Sequence, residues 1–149
     1  MFHYTACGLP NIWLANGFTE TFAEDGAAFF NITGIRELHT VIAHNLTEKE
    51  SPLTGAELRF LRSELKMSRK TLGDLIGYSD EAIKKWESDT NPLPKLADAS
   101  VRKLFLELQH ENGELRKLLM QIKNLERQER KLCFTETLQG WKAEGQQCA

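Results

Sequence analysis

The chain has little of what marks the specialised protein classes. Its 149 residues contain three cysteines, Cys7, Cys133 and Cys148. An odd number, widely spaced, in a chain opening MFHYTACG without the basic and apolar regions of a secretory signal, argues against a disulfide framework and for free thiols. No apolar run approaches the roughly 20 residues that span a bilayer. Cytoplasm is the expected compartment. His3, Cys7, His39 and His44 lack the tight spacing of a structural zinc site, so no metal or cofactor is expected. Cys7 with a histidine would lack both an oxyanion hole and a third member, and no phosphate-cradling glycine loop is present, so no enzymatic activity is expected. No internal repeat stands out.

Basic charge is also missing as an excess. Lys and Arg number 19 against 21 Asp and Glu, a net charge of -2 and a pI near 6.1, which by itself argues against a nonspecific nucleic-acid binder. Hydrophobic residues at 41%, charged residues at 27% and a mean hydropathy of -0.42 describe an ordinary globular chain, long enough for one domain with small appendages. The charge is segregated, with net -4 over residues 1–53, +2 over 54–103 and 0 over 104–149. A small basic excess is also what a solvated helical surface carries, so the middle segment needs a sharper test.

Residues 1–32 are short, aromatic and punctuated by turns. FHYTACG, NIWLA, FTETFA and AAFFNI are separated by Gly8–Pro10, Asn16-Gly17 and Asp25-Gly26. Asn-Gly and Asp-Gly between apolar stretches are strong hairpin signals, because a type I′ turn needs positive φ at both central residues. A small antiparallel sheet is expected, with Trp13, Phe18, Phe22, Phe29 and Phe30 as its core or as a subunit interface. Thr33 is placed to cap a helix over 34–47, with Ile35, Leu38, Val41, Ile42 and Leu46 on its buried face.

From Thr54 onward the pattern is helical. Thr54 with Glu57 fits a capping box before Leu58, Leu61 and Leu65, giving a helix to about Lys66. Ser68 opens the next, which ends at Gly77; Ser79 opens a third, ending near Glu87; a fourth starts about Lys95. Leu104, Leu108, Leu115, Leu118, Leu119, Ile122 and Leu125 carry an apolar stripe through 104–131, with Gly113 as a break or kink, and the part from Leu115 through Leu118, Ile122 and Leu125 approaches heptad spacing. CFTETLQGW, 133–141, reads as a final strand that can join the N-terminal sheet. The fold class is therefore α+β, mainly α, in three segments: 1–53, hairpins and a helix for dimerisation or partner binding; 54–106, the helical domain; and 107–149, a helix and strand for dimerisation or packing.

The specific signal is RKTLGDLIGYSDEAIKKWES, residues 69–88. A helix-turn-helix needs a small residue where its two helices cross, supplied by Gly73, and a residue tolerant of positive φ four positions later, supplied by Gly77. It also needs a buried branched and a buried large residue facing back from the second helix, supplied by Ile83 and Trp86, against Leu72, Leu75 and Ile76. With GAELRFLRSELKMS before it and the PLP turn after it, this stretch resembles the Cro and phage-repressor (XRE) class of helix-turn-helix proteins. It looks most like the C-terminal domain of MqsA-type antitoxins. The paired CxxC motifs of the zinc-binding N-terminus of those antitoxins are absent here.

The resemblance implies a five-helix XRE-type DNA-binding domain whose helix 79–87 lies in the major groove. Asp80, Glu81, Lys84 and Lys85 are then the base-reading candidates. A carboxylate accepts from cytosine N4 and an ammonium donates to guanine O6 and N7; a plain solvated face with a Glu81–Lys85 pair is the alternative. Phosphate contacts fall to Ser68, Arg69 and Lys70 at one helix start, to Ser79, and to Ser88, Thr90 and Asn91 beyond the other. Arg59 and Arg62 are as readily ordinary surface. One such helix reads half a site, so a homodimer on an inverted-repeat operator is expected, its helices about 34 Å apart. The function expected is sequence-specific double-stranded DNA binding as a transcriptional repressor. The alternative is an antitoxin that also neutralises a toxin protein.

Overall fold

Helices form where the sequence offers caps. The structure, a computed structural model, describes residues 1–109 and 132–143 and, between them, Glu114, Lys117 and Gln121. It is α+β and mainly helical. The described helices are α1 (Ile35–Glu48), α2 (Gly55–Glu64), α3 (Arg69–Ile76), α4 (Asp80–Glu87) and α5 (Lys95–Leu108). Thr54 and Glu57 close a reciprocal capping box on α2. Ser68 accepts from Thr71 N to start α3, and Ser79 from Ala82 N to start α4. α3 stops at Gly77, whose φ of 84° is the left-handed conformation that ends a helix without a Cβ clash.

The first helix departs from expectation. Its N-cap is Gly34, left-handed and with no side-chain cap, so Thr33 does not cap it. Ile42, Ala43 and Leu46 are buried and Leu38 half-buried, while Ile35 and Val41 face solvent. The buried face is turned because α1 packs on two partners, α2 and α5, at once.

One core unites these helices. Leu58 and Leu61 of α2, Leu72 of α3, Ile83 and Trp86 of α4, and Ala97, Val101, Leu104 and Phe105 of α5 join the α1 residues, Leu53 and Leu9. The core therefore runs across residue 53. The connection 49–53 is clasped by buried carboxylates. Glu57 pairs with Lys49 at 2.5 Å, and Asp98 accepts from Leu53 N at 2.9 Å while binding Arg102, which also donates to the carbonyls of Lys49 and Ser51. At the other end, Tyr4 and Leu9 seat the N-terminal segment. Tyr4 hydroxyl meets His39 Nε2 at 2.8 Å, and His39 Nδ1 meets Glu64 Oε1 at 3.0 Å. Burial, with the charges of Cys7 and Glu64 beside it, pushes the Tyr4 phenol above its ordinary value of 10.0.

The described strands make three separate hairpins instead of one sheet. β1 (Phe2–His3) pairs with β2 (Trp13–Leu14), β3 (Phe18–Phe22) with β4 (Ala28–Ile32), and β5 (Phe134–Thr137) with β6 (Gly140–Ala143), all antiparallel. Asp25-Gly26 turns a hairpin as expected, whereas Asn16-Gly17 only links β2 to β3, which do not pair. The C-terminal segment folds back on itself and does not join the N-terminal strands. Phe-Thr-Glu-Thr opens both β3 and β5, with Glu20 opposite Phe30 and Glu136 opposite Trp141, a recurrence too short to stand out in sequence. The aromatic residues are not a core. Phe2 stacks on Phe30 at 4.3 Å, but Trp13, Phe22, Phe29, Phe30, Phe134 and Trp141 are exposed. Phe2 covers part of one face of β3–β4, but a two-stranded hairpin does not carry a full second layer under which to bury its rings.

Cys7 is free, but Cys133 is disulfide-bonded, against the expectation of three thiols. Gly113, Leu115, Leu118, Leu119, Ile122, Leu125 and Cys148 lie outside the described residues.

Candidate nucleic-acid interface

The candidate surface begins with a missing Cβ. A Cβ on Gly73 would lie 2.3 Å from the Tyr78 carbonyl oxygen and 3.4 Å from Ile83 Cδ1, so only glycine lets α3 pass this close to the start of α4. Gly77 N and Tyr78 N both donate to the Gly73 carbonyl, at 2.8 and 2.9 Å, which reverses the chain in one tight turn. Behind the turn Leu72 and Ile83 are fully buried, and Tyr78 meets Trp86 edge to face at 4.8 Å. Gly73 and Gly77 thus form the tight turn, and Ile83 and Trp86 are buried behind it.

With Ile83 and Trp86 turned inward, α4 presents Asp80, Glu81, Lys84 and Lys85 outward, all exposed. Asp80 is spoken for in part, its carboxylate accepting from Glu81 N at 3.0 Å. Glu81 and Lys85 form no ion pair with each other. The side chains of Glu81, Lys84 and Lys85 are therefore uncommitted.

The proposed phosphate-binding residues flank this face in two groups. Ser68 and Ser79 are N-caps whose oxygens already accept backbone N–H groups, and Lys70 is exposed with no partner among the described residues. On the other side the loop 88–91 wraps the end of α4. Ser88 Oγ, Thr90 N and Asn91 N all donate to the Lys85 carbonyl, and Ser88 and Thr90 hydroxyls meet at 2.8 Å. The loop is held in place, and the Asn91 side chain is left outward.

Arg69 is less free than its position in sequence suggests. Its Nε lies 3.4 Å from Glu87 Oε1, with the side chain 39% exposed. Glu87 is the hub here, 3% exposed and gripped two-pronged by Arg62 through Nε at 2.8 Å and Nη2 at 2.9 Å, while Arg62 Nη1 donates to the Met67 carbonyl at 2.9 Å. Arg62 is a strut joining α2, the turn before α3 and the last turn of α4; Arg59 stays at the surface. Gly55 and Asp89 make a second strut. A Cβ on Gly55 would sit 2.5 Å from the carbonyls of Trp86 and Glu87, and Gly55 N donates to Asp89 Oδ1 at 3.1 Å. Sequence reasoning missed Glu87, Gly55 and Asp89, because their partners lie 18 to 34 positions away.

No protein family, curated protein or solved structure matches the chain. Among the described residues no cluster of His, Cys, Asp and Glu is arranged to hold a metal ion, and no helix is long and apolar enough to cross a membrane.

Proposed function

We propose that the chain is a sequence-specific double-stranded DNA-binding transcriptional regulator of the XRE helix-turn-helix class, acting as a homodimeric repressor on an inverted-repeat operator. The observation that carries this reading is the pairing of a glycine-tight crossing at Gly73 with an outward α4 face of uncommitted Glu81, Lys84 and Lys85. An α-helix fits the major groove, and these groups match the donors and acceptors displayed there. The struts Arg62–Glu87–Arg69 and Gly55–Asp89 support it further, because a reading helix must be held rigidly for base contacts to discriminate. Repression follows from covering a promoter, with no further activity required.

Selection of bound duplexes from a random DNA library tests the reading, with the Glu81→Ala, Lys85→Ala double variant as control. The expected outcome is an enriched inverted repeat that the variant loses, with Lys85→Ala alone relaxing one position per half-site by about 1–3 kcal/mol. Absence of enrichment at low salt would overturn it.

A further inference from the structure

The β3–β4 hairpin carries an open edge that its sequence leaves unguarded. Thr33 N donates to Gly17 O and Ala23 N to Ala27 O at its two ends, and the register pairs Thr19 with Asn31 and Thr21 with Phe29 between them. Hydrogen-bonded and non-bonded pairs alternate along an antiparallel ladder. The backbone groups of Ala28, Phe30 and Ile32 on β4, and of Phe18, Glu20 and Phe22 on β3, therefore point away from the hairpin. Among the described residues no other group bonds to those of β4.

The two edges differ in charge. A second copy of β3 laid antiparallel on β3 about its centre would bring Glu20 against Glu20, which is unfavourable. β4, Ala-Phe-Phe-Asn-Ile, has no charge and no proline, the devices that normally keep an exposed edge from pairing. It also carries exposed aromatic rings on both faces, Phe29 and Phe30.

We propose that β4 is the dimerisation edge: Ala28–Ile32 of one copy pairs antiparallel with Ala28–Ile32 of a second about a two-fold axis at Phe30, joining two hairpins into one four-stranded sheet. In this register Phe30 faces Phe30 and Ala28 faces Ile32 as hydrogen-bonded pairs, using the backbone groups that the hairpin leaves outward. The contact is self-complementary, as a two-fold interface must be. Phe22, Phe29 and Phe30 are 70%, 56% and 42% exposed. At about 150–250 Å² per ring they offer together about 300 Å², short of the ~800 Å² per partner of a stable interface. The edge thus makes a dimer that is weak in free solution and closes when two copies are held on one duplex, where their effective concentration is high. This deepens the dimeric DNA-binding reading and rests on it for the second step alone.

Sedimentation equilibrium of the full chain without DNA, from micromolar to millimolar, combined with residue-resolved amide exchange, tests the edge. The expected result is dimer at the upper end, with the amides of Ala28, Phe30 and Ile32 exchanging at least about tenfold more slowly there and those of Phe29 and Asn31, already bonded to β3, unchanged. Phe30→Lys, or Ala28→Lys where the first disturbs the stack on Phe2, should hold the chain monomeric, and Glu20→Lys should not. A monomer at every concentration, or a dimer whose three outward amides still exchange freely, overturns the proposal. So does a monomer in which they are protected throughout, since the chain's own segments would then cover the edge. Concentration-dependent protection without operator enrichment would leave the edge standing and remove the DNA reading.

Discussion

Of the eight largest fully buried side chains, seven lie on α2, α4, α5 and α3, and the eighth is Leu9, while the hairpins hold Phe22, Phe29, Phe134 and Trp141 out in solvent. The two regions draw on the same residue types and differ in layering. A helix meets its neighbours around its circumference and can bury a stripe; a two-stranded hairpin has two faces and two edges to cover, and on β3–β4 the Phe2 ring, against Phe18 and Phe30, covers part of one face. The difference suggests a division of work: the helical part holds its own geometry, and the hairpins offer surface to something else. If so, changes in the bundle should move folding stability strongly, and changes in the hairpins hardly at all.

The largest effect should come from Trp86→Ala. Emptying this buried aromatic site, which also removes the edge contact to Tyr78, should cost roughly 3–5 kcal/mol in chemical denaturation. An unchanged midpoint would mean that the motif is not part of the common core. Glu87→Ala comes next, because it strands the Arg62 guanidinium in a site only 14% exposed. Breaking a buried pair from one side costs up to about 3–5 kcal/mol, and here partial exposure of Arg62 should reduce that to about 2–3 kcal/mol. Arg69→Ala, by contrast, removes a longer and more exposed contact worth about 0–1 kcal/mol, so any loss of DNA binding in that variant would report on phosphate contact. Equal destabilisation by Glu87→Ala and Arg69→Ala would show that Arg62 is not the strut.

What was legible in the sequence divides along the same line. Thr54, Ser68, Ser79 and Gly77 could be placed because a cap acts over three or four residues, and Gly73, Ile83 and Trp86 because the motif spaces them within one short stretch. Arg62–Glu87, Asp98–Leu53 and Tyr4–His39–Glu64 could not, since each joins segments whose meeting depends on the whole bundle. Thr33 has the chemistry of a cap but does not act as one, because Gly34, one residue later, takes the left-handed turn into α1. The aromatic hairpins misled in a different way. Alternating apolar residues announce a strand, but they carry no information on whether a second layer exists to cover it.

The junction between the two regions should be sensitive to alkali. Tyr4 is 4% exposed and its phenol is held neutral, hydrogen-bonded to His39. Its ionisation is shifted upward by burial first, so the folded state binds this proton more tightly than the unfolded one. The stabilisation is complete below the ordinary phenol value of 10.0 and is lost as pH rises through the higher folded value. Melting temperature should therefore fall as pH rises above 10.0 towards the folded value, and Tyr4→Phe should flatten the fall at a cost of about 1 kcal/mol at neutral pH. The same alkaline decline in Tyr4→Phe and parent would assign it to other groups.

The smallest effect expected is the one that most sharpens the comparison. Phe29 is 56% exposed, on the hairpin face with Thr19, Thr21 and Asn31. Phe29→Ser keeps the backbone bonds to Thr21 and removes only the ring. With little apolar area to return to water, the free monomer should lose no more than about 0.5 kcal/mol. Under conditions that populate the proposed β4 pairing, the same substitution should weaken association measurably, because the ring then lies beside the partner's Asn31 across the new ladder. A loss of several kcal/mol in the dilute monomer would erase the contrast, since it would mean that the hairpin is packed into the fold and has no face to offer.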